Sequence, residues 1–130
     1  MDPDWNQARK LTFQKNFKLK NKSDFDFVRE HGRRFTDAFY TLLAVSGAES
    51  GLAGFKFGII CSRRFHKNAV VRNRARRLVS ESVRLLKPRI APCRIIVIPR
   101  RGIYRANMQE VRSRLERSLK HAGVLTISPL

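Results

Sequence analysis

Residues 69–86, AVVRNRARRLVSESVRLL, combine a helical repeat of apolar residues with a dense cluster of arginines. At about 100° per residue, one stripe of an α-helix collects small and apolar side chains, namely Val71, Ala75, Leu78, Val79, Ser82, Leu85 and Leu86. The other side collects polar side chains with an arginine at each border, namely Asn73, Arg76, Arg77, Ser80 and Arg84, bordered by Arg72 and Arg74. The pattern predicts a helix that packs on a core through one face and presents guanidinium groups on the other.

The charge around this helix is one-sided. Between positions 63 and 105, Glu81 is the only acidic residue, whereas lysines and arginines recur throughout. A helix face without acidic neighbours repels itself and lowers the stability of the isolated fold. Guanidinium groups are always charged and offer a planar fork of donors that fits phosphate oxygens. We therefore expect a polyanionic partner rather than a merely solvated face.

Composition limits the class of protein. A chain of 130 residues with 42% hydrophobic residues can form one domain with a real core. Its net charge of +18 favours nucleic acid, with an anionic membrane surface as the competing partner. The sequence contains no apolar run long enough to span a bilayer and no secretory signal, which predicts a cytoplasmic protein. Cys61 and Cys93 are isolated in sequence, so we expect reduced, packed thiols rather than a zinc site.

Local signals divide the chain into seven elements. Ser23 and Asp26 resemble a capped start for a helix over 24–31 that ends at Gly32. A short strand is expected around Phe35, and strands over 38–46 and 55–62 are expected to pair as an antiparallel hairpin. After the arginine helix come a strand over 94–98, buried on both faces, and a last helix over 108–122. The order α-β-β-β-α-β-α predicts a single α+β domain with helices against a small mixed sheet.

The ends of the chain read differently from its body. Residues 1–16 are polar and basic and are expected to form a flexible extension, while Phe17 and Leu19 pin the following segment to the fold. The folded domain is predicted to cover 17–124, which leaves 125–130 as a C-terminal tail.

The order of basic motifs resembles a known family. Ser62-Arg63-Arg64 closes a predicted strand, a loop follows, and Arg72-Asn73-Arg74-Ala75-Arg76-Arg77 opens the helix. This arrangement resembles the protein subunit of bacterial ribonuclease P. The upstream segment FKLKNKSDFDFVREHG is similar to the N-terminal part of that family, and RIIVIPRRG with the closing helix follows in the expected order. The resemblance covers about residues 17–124.

The resemblance implies a fold and a function. The fold is a single-domain α/β sandwich like the second domain of ribosomal protein S5, with a left-handed βαβ crossover around the arginine helix, although crossovers are almost always right-handed. The implied function is to bind the catalytic RNA and the 5′ leader of precursor tRNA and to promote endonucleolytic removal of the leader. The RNA subunit, with magnesium, carries the hydrolysis, so the protein itself would hold no cofactor and no catalytic residue. Neither DNA nor a membrane is an implied partner.

Two sets of site residues follow from the resemblance. The residues assigned to RNA binding are Arg63, Arg64, Lys67, Arg72, Asn73, Arg74, Arg76 and Arg77. The residues assigned to a leader cleft between the first helix and the sheet are Phe25, Arg29 and Phe39. Arg29 stands where the family often has a second aromatic residue, so charge should replace part of the stacking there. From the residues alone, Phe25 fits a core position as well as a leader contact.

Other classes of function fit the sequence less well. A ribosomal or other structured-RNA-binding protein without a role in cleavage fits the charge and the fold, and only the motif order argues against it. A free-standing nuclease needs clustered carboxylates or an acid/base pair, whereas the acidic residues are scattered and His66 has no evident partner. A helix-turn-helix reader of DNA needs a short helix before the arginine helix, where this chain has a strand. Membrane binding would require the apolar stripe that the core needs.

Overall fold

The computed structural model describes residues 19, 22–47 and 55–125 of the chain. Within these residues lie three α-helices, α1 (Lys22–His31), α2 (Ala69–Leu86) and α3 (Met108–His121). The four strands are β1 (Arg33–Thr36), β2 (Tyr40–Ser46), β3 (Lys56–Ile59) and β4 (Cys93–Pro99). Short 3₁₀ helices follow α2 and β4, at Lys87–Arg89 and Arg101–Arg105. The predicted α+β class and the element order α-β-β-β-α-β-α are confirmed.

The strands form one mixed sheet in the order β1-β2-β4-β3. β2 is antiparallel to both β1 and β4, whereas β3 runs parallel to β4. The predicted hairpin between β2 and β3 is therefore wrong. β4, which comes later in the chain, lies between them and pairs with both. The apolar side chains on both faces of β4 explain this, because such a strand is stable only in the interior of a sheet.

The β3–α2–β4 unit is a parallel crossover connection, which places α2 over one face of the sheet. The register opposes Phe57 to Ile95 and Ile59 to Val97. The left-handed sense of this crossover stays a prediction from the family resemblance. What the topology fixes for function is that the loop after β3 leads directly into the N-terminus of α2.

Two hydrophobic clusters fill the two sides of the sheet in the described part of the chain. The larger lies under α2 and α3 and takes alternate residues of the inner strands, such as Leu42, Ile95 and Val97. The smaller lies under α1 and takes the intervening residues, such as Leu43 and Ile96. This alternation follows from the two-residue period of a strand. Phe55, Phe57 and Phe65 are all buried in the larger cluster.

The helix ends agree with most of the sequence signals. Asn107 caps α3, because its side-chain oxygen accepts a hydrogen bond from the Glu110 N–H at 2.9 Å. Gly123 follows with φ of 76°, a left-handed conformation that favours glycine. α1 begins at Lys22, so Ser23 lies inside the helix and is not the cap that its pattern suggested. In α2, Leu85 is 38% exposed while Val83 is fully buried, so the buried stripe includes Val83 at one border and leaves out Leu85 at the other, with Ser82 and Leu86 still inside.

Leu19 confirms the expected attachment of the N-terminal segment. Its side chain is buried in the smaller cluster, and its N–H donates to the carbonyl of Phe57 at 3.1 Å. Phe17, the extension over 1–16 and most of the tail over 125–130 lie outside the described residues.

Candidate nucleic-acid interface

The loop after β3 and the first turns of α2 form one connected unit. Asn68 caps α2, because its side chain accepts a hydrogen bond from the Val70 N–H at 2.8 Å. Its own N–H donates to Nδ1 of His66 at 3.0 Å, which ties the loop to the cap. Phe65 anchors the middle of the loop, since its side chain is buried in the larger cluster. These hydrogen bonds and the buried Phe65 order the loop, so that it presents its basic residues at defined positions.

Arg72 holds this loop from the first turn of the helix. Its Nη1 donates to the carbonyl oxygens of His66 at 2.9 Å and of Lys67 at 3.0 Å. A charged donor shared by two carbonyls is stronger than a neutral hydrogen bond. The border position that the sequence predicted for Arg72 explains the contact, because a border residue meets the elements that flank the helix.

Arg74 makes the equivalent contact on the other border. Its Nε donates to the carbonyl of Tyr104 at 3.2 Å, and its Nη2 donates to the carbonyl of Ala106 at 3.1 Å. Both carbonyls belong to the 3₁₀ helix after β4 and its end. Arg74 therefore fixes this segment against α2, a structural task that the sequence did not assign to it.

Arg76 reaches back to the end of β3. Its Nη2 donates to the carbonyl of Cys61 at 2.9 Å, and Nη1 lies 3.4 Å from Oδ1 of Asn73. Burial raises the pKa of the Cys61 thiol, against the opposing effect of the nearby Arg76 and Arg72 charges. Cys61 and Cys93 are both buried, so the expectation of packed side chains is confirmed.

Four of the predicted cations keep their charged groups free. In the described residues no hydrogen bond or ion pair involves the charged ends of Arg63, Arg64, Lys67 and Arg77, which are all exposed. The acidic side chains pair elsewhere, as in Glu81–Arg84, Glu116–Arg89 and Asp37–Arg114. The Arg89 hydrogen bond even lowers the pKa of Glu116. Arg63, Arg64 and Lys67 have no acidic residue near them in the sequence, and Glu81, one turn from Arg77, is paired with Arg84, so these four charges stay available to an external polyanion.

An open pocket of about 560 Å³ lies between the β3–α2 loop and the 3₁₀ helix after β4. Its lining residues are Arg63, Phe65, His66, Lys67, Arg101 and Tyr104. The family resemblance assigns Arg63 and Lys67 to RNA but assigns no role to Arg101 or Tyr104. The available signal was the run Arg100-Arg101-Gly102-Ile103-Tyr104, in which an aromatic residue follows two arginines directly after a buried strand.

The residues of the predicted leader cleft do not all come together. Phe25 is half-buried on α1 and packs on Gly58, where a Cβ atom would lie 2.8 Å from the Phe25 ring. Arg29, one turn later on α1, is exposed. Phe39 instead packs against the larger cluster, on the opposite face of the sheet, with the Arg114 guanidinium 4.3 Å from its ring centroid. β2 begins at Tyr40, so Phe39 lies in the preceding turn and does not follow the strand alternation.

The residues that the structure describes show neither a metal-ligand cluster nor a membrane-spanning helix. They contain no group of three or more His, Cys, Asp or Glu that could hold a metal ion. Within the same residues, no helix is both long enough and apolar enough to cross a membrane. His66 lies among cations and donates or accepts no hydrogen bond to a carboxylate in the described part of the chain.

Comparisons with known proteins all lead to one family. A family model described as ribonuclease P matches residues 13–123. The ribonuclease P protein component of Exiguobacterium is 30% identical, covering 85% of this chain and 94% of the relative, and that of Chloroflexus aggregans is 35% identical, covering 84% and 79%. Among solved structures, the ribonuclease P proteins of Staphylococcus aureus and Thermotoga maritima superpose with TM-scores of 0.73 and 0.69, at 26% and 28% identity. These alignments cover 85% and 80% of this chain and 98% and 96% of the other chains. The chain therefore belongs to the ribonuclease P protein family.

Proposed function

We propose that this chain is the protein subunit of a cytoplasmic ribonuclease P, in which it binds the catalytic RNA and the 5′ leader of precursor tRNA. The observation that carries the proposal is the set of unpaired cations in the loop before α2 and at Arg77 in the middle of that helix, in a chain whose family is established. Membership of the family supports the partners, and the excess of unpaired cations supplies the chemistry that would recognise them.

The basic residues would divide the contact with the RNA subunit between them. Arg77 and Arg64 present complete guanidinium forks to phosphate oxygens, and Lys67 adds a compact charge. The Asn73 amide would add a hydrogen bond to a phosphate or a sugar edge. Phosphate contacts of this kind fix the register of the protein on a folded RNA.

The precursor leader would follow α1. Phe25 offers the exposed part of a ring for an unstacked base, and Arg29 adds a charge one helical turn away. Phe39 would not take part, because it lies on the opposite face of the sheet. The hydrolytic step would belong to the RNA subunit and its magnesium ions, with the protein raising affinity and positioning the leader.

Cleavage of a precursor tRNA at low magnesium tests this proposal. The cognate RNA subunit alone, the protein alone and the mixture are compared, and we expect efficient cleavage only in the mixture. The double variant Arg64→Ala, Arg77→Ala should lower the stimulation, because it removes two free cations. Arg112→Ala is the matched control, since Arg112 is an exposed arginine on α3 that makes no hydrogen bond or ion pair in the described residues and only attracts the Glu116 carboxylate at a distance.

Two results would contradict the proposal. Cleavage by the protein alone would place an active site within the protein. Absence of any stimulation by a folded protein would remove it from the ribonucleoprotein.

A further inference from the structure

The pocket between the β3–α2 loop and the 3₁₀ helix after β4 has two chemically distinct walls. The loop wall carries the cations Arg63 and Lys67, and the other wall carries Arg101 and the phenol of Tyr104. No acidic side chain lines it. Its volume of about 560 Å³ falls within the range of roughly 300–1,000 Å³ that is typical of small-ligand sites. Three cations converging on one cavity form a site for an anion.

His66 adds a directed donor to the loop wall. Its Nδ1 accepts the Asn68 N–H at 3.0 Å, so the neutral ring carries its proton on Nε2. A neutral ring held in this way offers one N–H to an oxygen ligand in the pocket.

Tyr104 supplies a fixed aromatic surface on the opposite wall. The side chain is 41% exposed, which is unusual for a large aromatic ring next to a helix junction. Arg105 holds the ring, because its Nε donates to the phenol oxygen at 3.0 Å and its guanidinium lies 5.4 Å from the ring centroid. An exposed ring fixed beside cations suits a base that stacks while its phosphate is neutralised.

Both walls are held by the same two arginines of α2. Arg72 fixes the carbonyls of His66 and Lys67, and Arg74 fixes those of Tyr104 and Ala106. The separation of the walls is thus set by the helix rather than left to two loops. Such preorganisation lowers the cost of ordering the site on binding.

We propose that this pocket binds one nucleotide of a single-stranded RNA segment. Arg63, Lys67 and Arg101 contact its phosphate, and Tyr104 stacks on its base. Arg72 and Arg74 act as positioning residues that hold the walls. The proposal rests on the proposed function for its RNA partner and assigns to it a base-stacking subsite outside the leader cleft. The nucleotide belongs either to the catalytic RNA or to the precursor tRNA, which share this chemistry.

Binding measurements with three variants test the pocket. Tyr104→Ala removes the stacking surface, Tyr104→Phe keeps the ring, and Arg101→Ala removes a phosphate contact while leaving Tyr104 in place. Arg112→Ala is the control for the loss of an exposed arginine. Each full-length protein is titrated against the catalytic RNA alone, and each reconstituted holoenzyme is titrated against precursor tRNA and mature tRNA. Circular dichroism confirms the fold of each variant.

We expect Tyr104→Ala and Arg101→Ala to weaken binding in one arm by roughly tenfold and Arg112→Ala to bind like the wild type. Tyr104→Phe should lose less affinity than Tyr104→Ala, because it keeps the stacking ring and loses only the hydrogen bond from Arg105. Weaker binding to the catalytic RNA assigns the nucleotide to that RNA, and weaker binding of the holoenzyme to precursor tRNA assigns it to the substrate. Wild-type affinity of Arg101→Ala and of a folded Tyr104→Ala in both arms would overturn the pocket while leaving the proposed function intact. Failure of the wild-type protein to bind the catalytic RNA would instead overturn the proposed function.

Discussion

Arg74→Ala and Arg77→Ala remove the same side chain from the same helix, yet the structure predicts different consequences for stability. Arg74 donates to the carbonyls of Tyr104 and Ala106, at 3.2 and 3.1 Å. Arg77 is exposed and has no partner in the described residues. We therefore expect Arg74→Ala to destabilise the free protein and Arg77→Ala to leave its stability unchanged.

The size of the difference follows from the hydrogen bonds. A hydrogen bond from a charged donor contributes about 1.5–3 kcal/mol, and a neutral one about 0.5–1.5 kcal/mol. Because Arg74 is exposed to solvent, a value near 1 kcal/mol for each of its bonds is appropriate, or about 2 kcal/mol in total. The Ala106 carbonyl belongs to a residue that is 2% exposed, so water replaces the lost donor poorly. Substitution of an exposed residue without contacts changes stability by less than about 0.5 kcal/mol.

Urea unfolding followed by circular dichroism measures both values on the free protein. For a chain of this size, 2 kcal/mol corresponds to a fall in melting temperature of roughly 6–10 °C. Filter binding to the catalytic RNA, run in parallel, should show weaker binding for both variants. The reasoning would be refuted if Arg77→Ala destabilised the protein as much as Arg74→Ala, or if Arg74→Ala unfolded at the wild-type urea concentration.

Three further predictions concern salt, the leader and pH. Affinity for the catalytic RNA should fall by roughly three to five decades between about 50 and 200 mM salt, and a fall below about tenfold would contradict an electrostatic interface. Phe25→Ala should reduce the holoenzyme's preference for precursor over mature tRNA, whereas Phe27→Ala, on the same helix, should weaken both equally. Equal losses for Phe25→Ala would remove that ring from the leader site. Burial raises the pKa of Cys93 from 9.0 to about 12, so its contribution to stability is complete below pH 9 and is lost as pH rises towards 12. Urea unfolding between pH 8 and 11 should show the free energy of unfolding falling as pH rises, and the fall should be smaller in Cys93→Ala.

Local patterns predicted the elements well because each carries its own signal. The bounds of α2 follow from its periodicity and those of α3 from Asn107 and Gly123. The pairing of strands has no comparable local signal, since nothing in residues 38–62 shows that β4 will insert between β2 and β3. The doubly apolar β4 indicated an interior strand, but the neighbours that it would take could not be read from its own sequence.

The site was predicted by residue type more reliably than by arrangement. The shortage of acidic residues around α2, where Glu81 is the only one between positions 63 and 105, predicted where the free cations lie. An excess of one charge is visible in the sequence without knowledge of the geometry. Some of the arginines donate hydrogen bonds to backbone carbonyls of segments that pass beside the helix. No sequence pattern shows that the carbonyls of Tyr104 and Cys61 will lie there. Phe39 lies on the face of the sheet opposite to the predicted cleft for a related reason. The direction of its side chain depends on the bend at residues 38–39, just before β2.

Arg74 carries a charge and also holds the 3₁₀ helix after β4, so the RNA-binding data for its variants must be interpreted with both roles in mind. Domains of this kind are stable by about 5–15 kcal/mol, so a loss of about 2 kcal/mol in Arg74→Ala still leaves nearly every molecule folded. Weaker RNA binding by that variant therefore cannot come from global unfolding. It must come from the lost charge or from displacement of the wall that carries Tyr104. Arg77→Ala supplies the value for charge alone, because its side chain holds no described element in place. Any excess loss in Arg74→Ala then measures what the position of the 3₁₀ helix contributes to RNA binding.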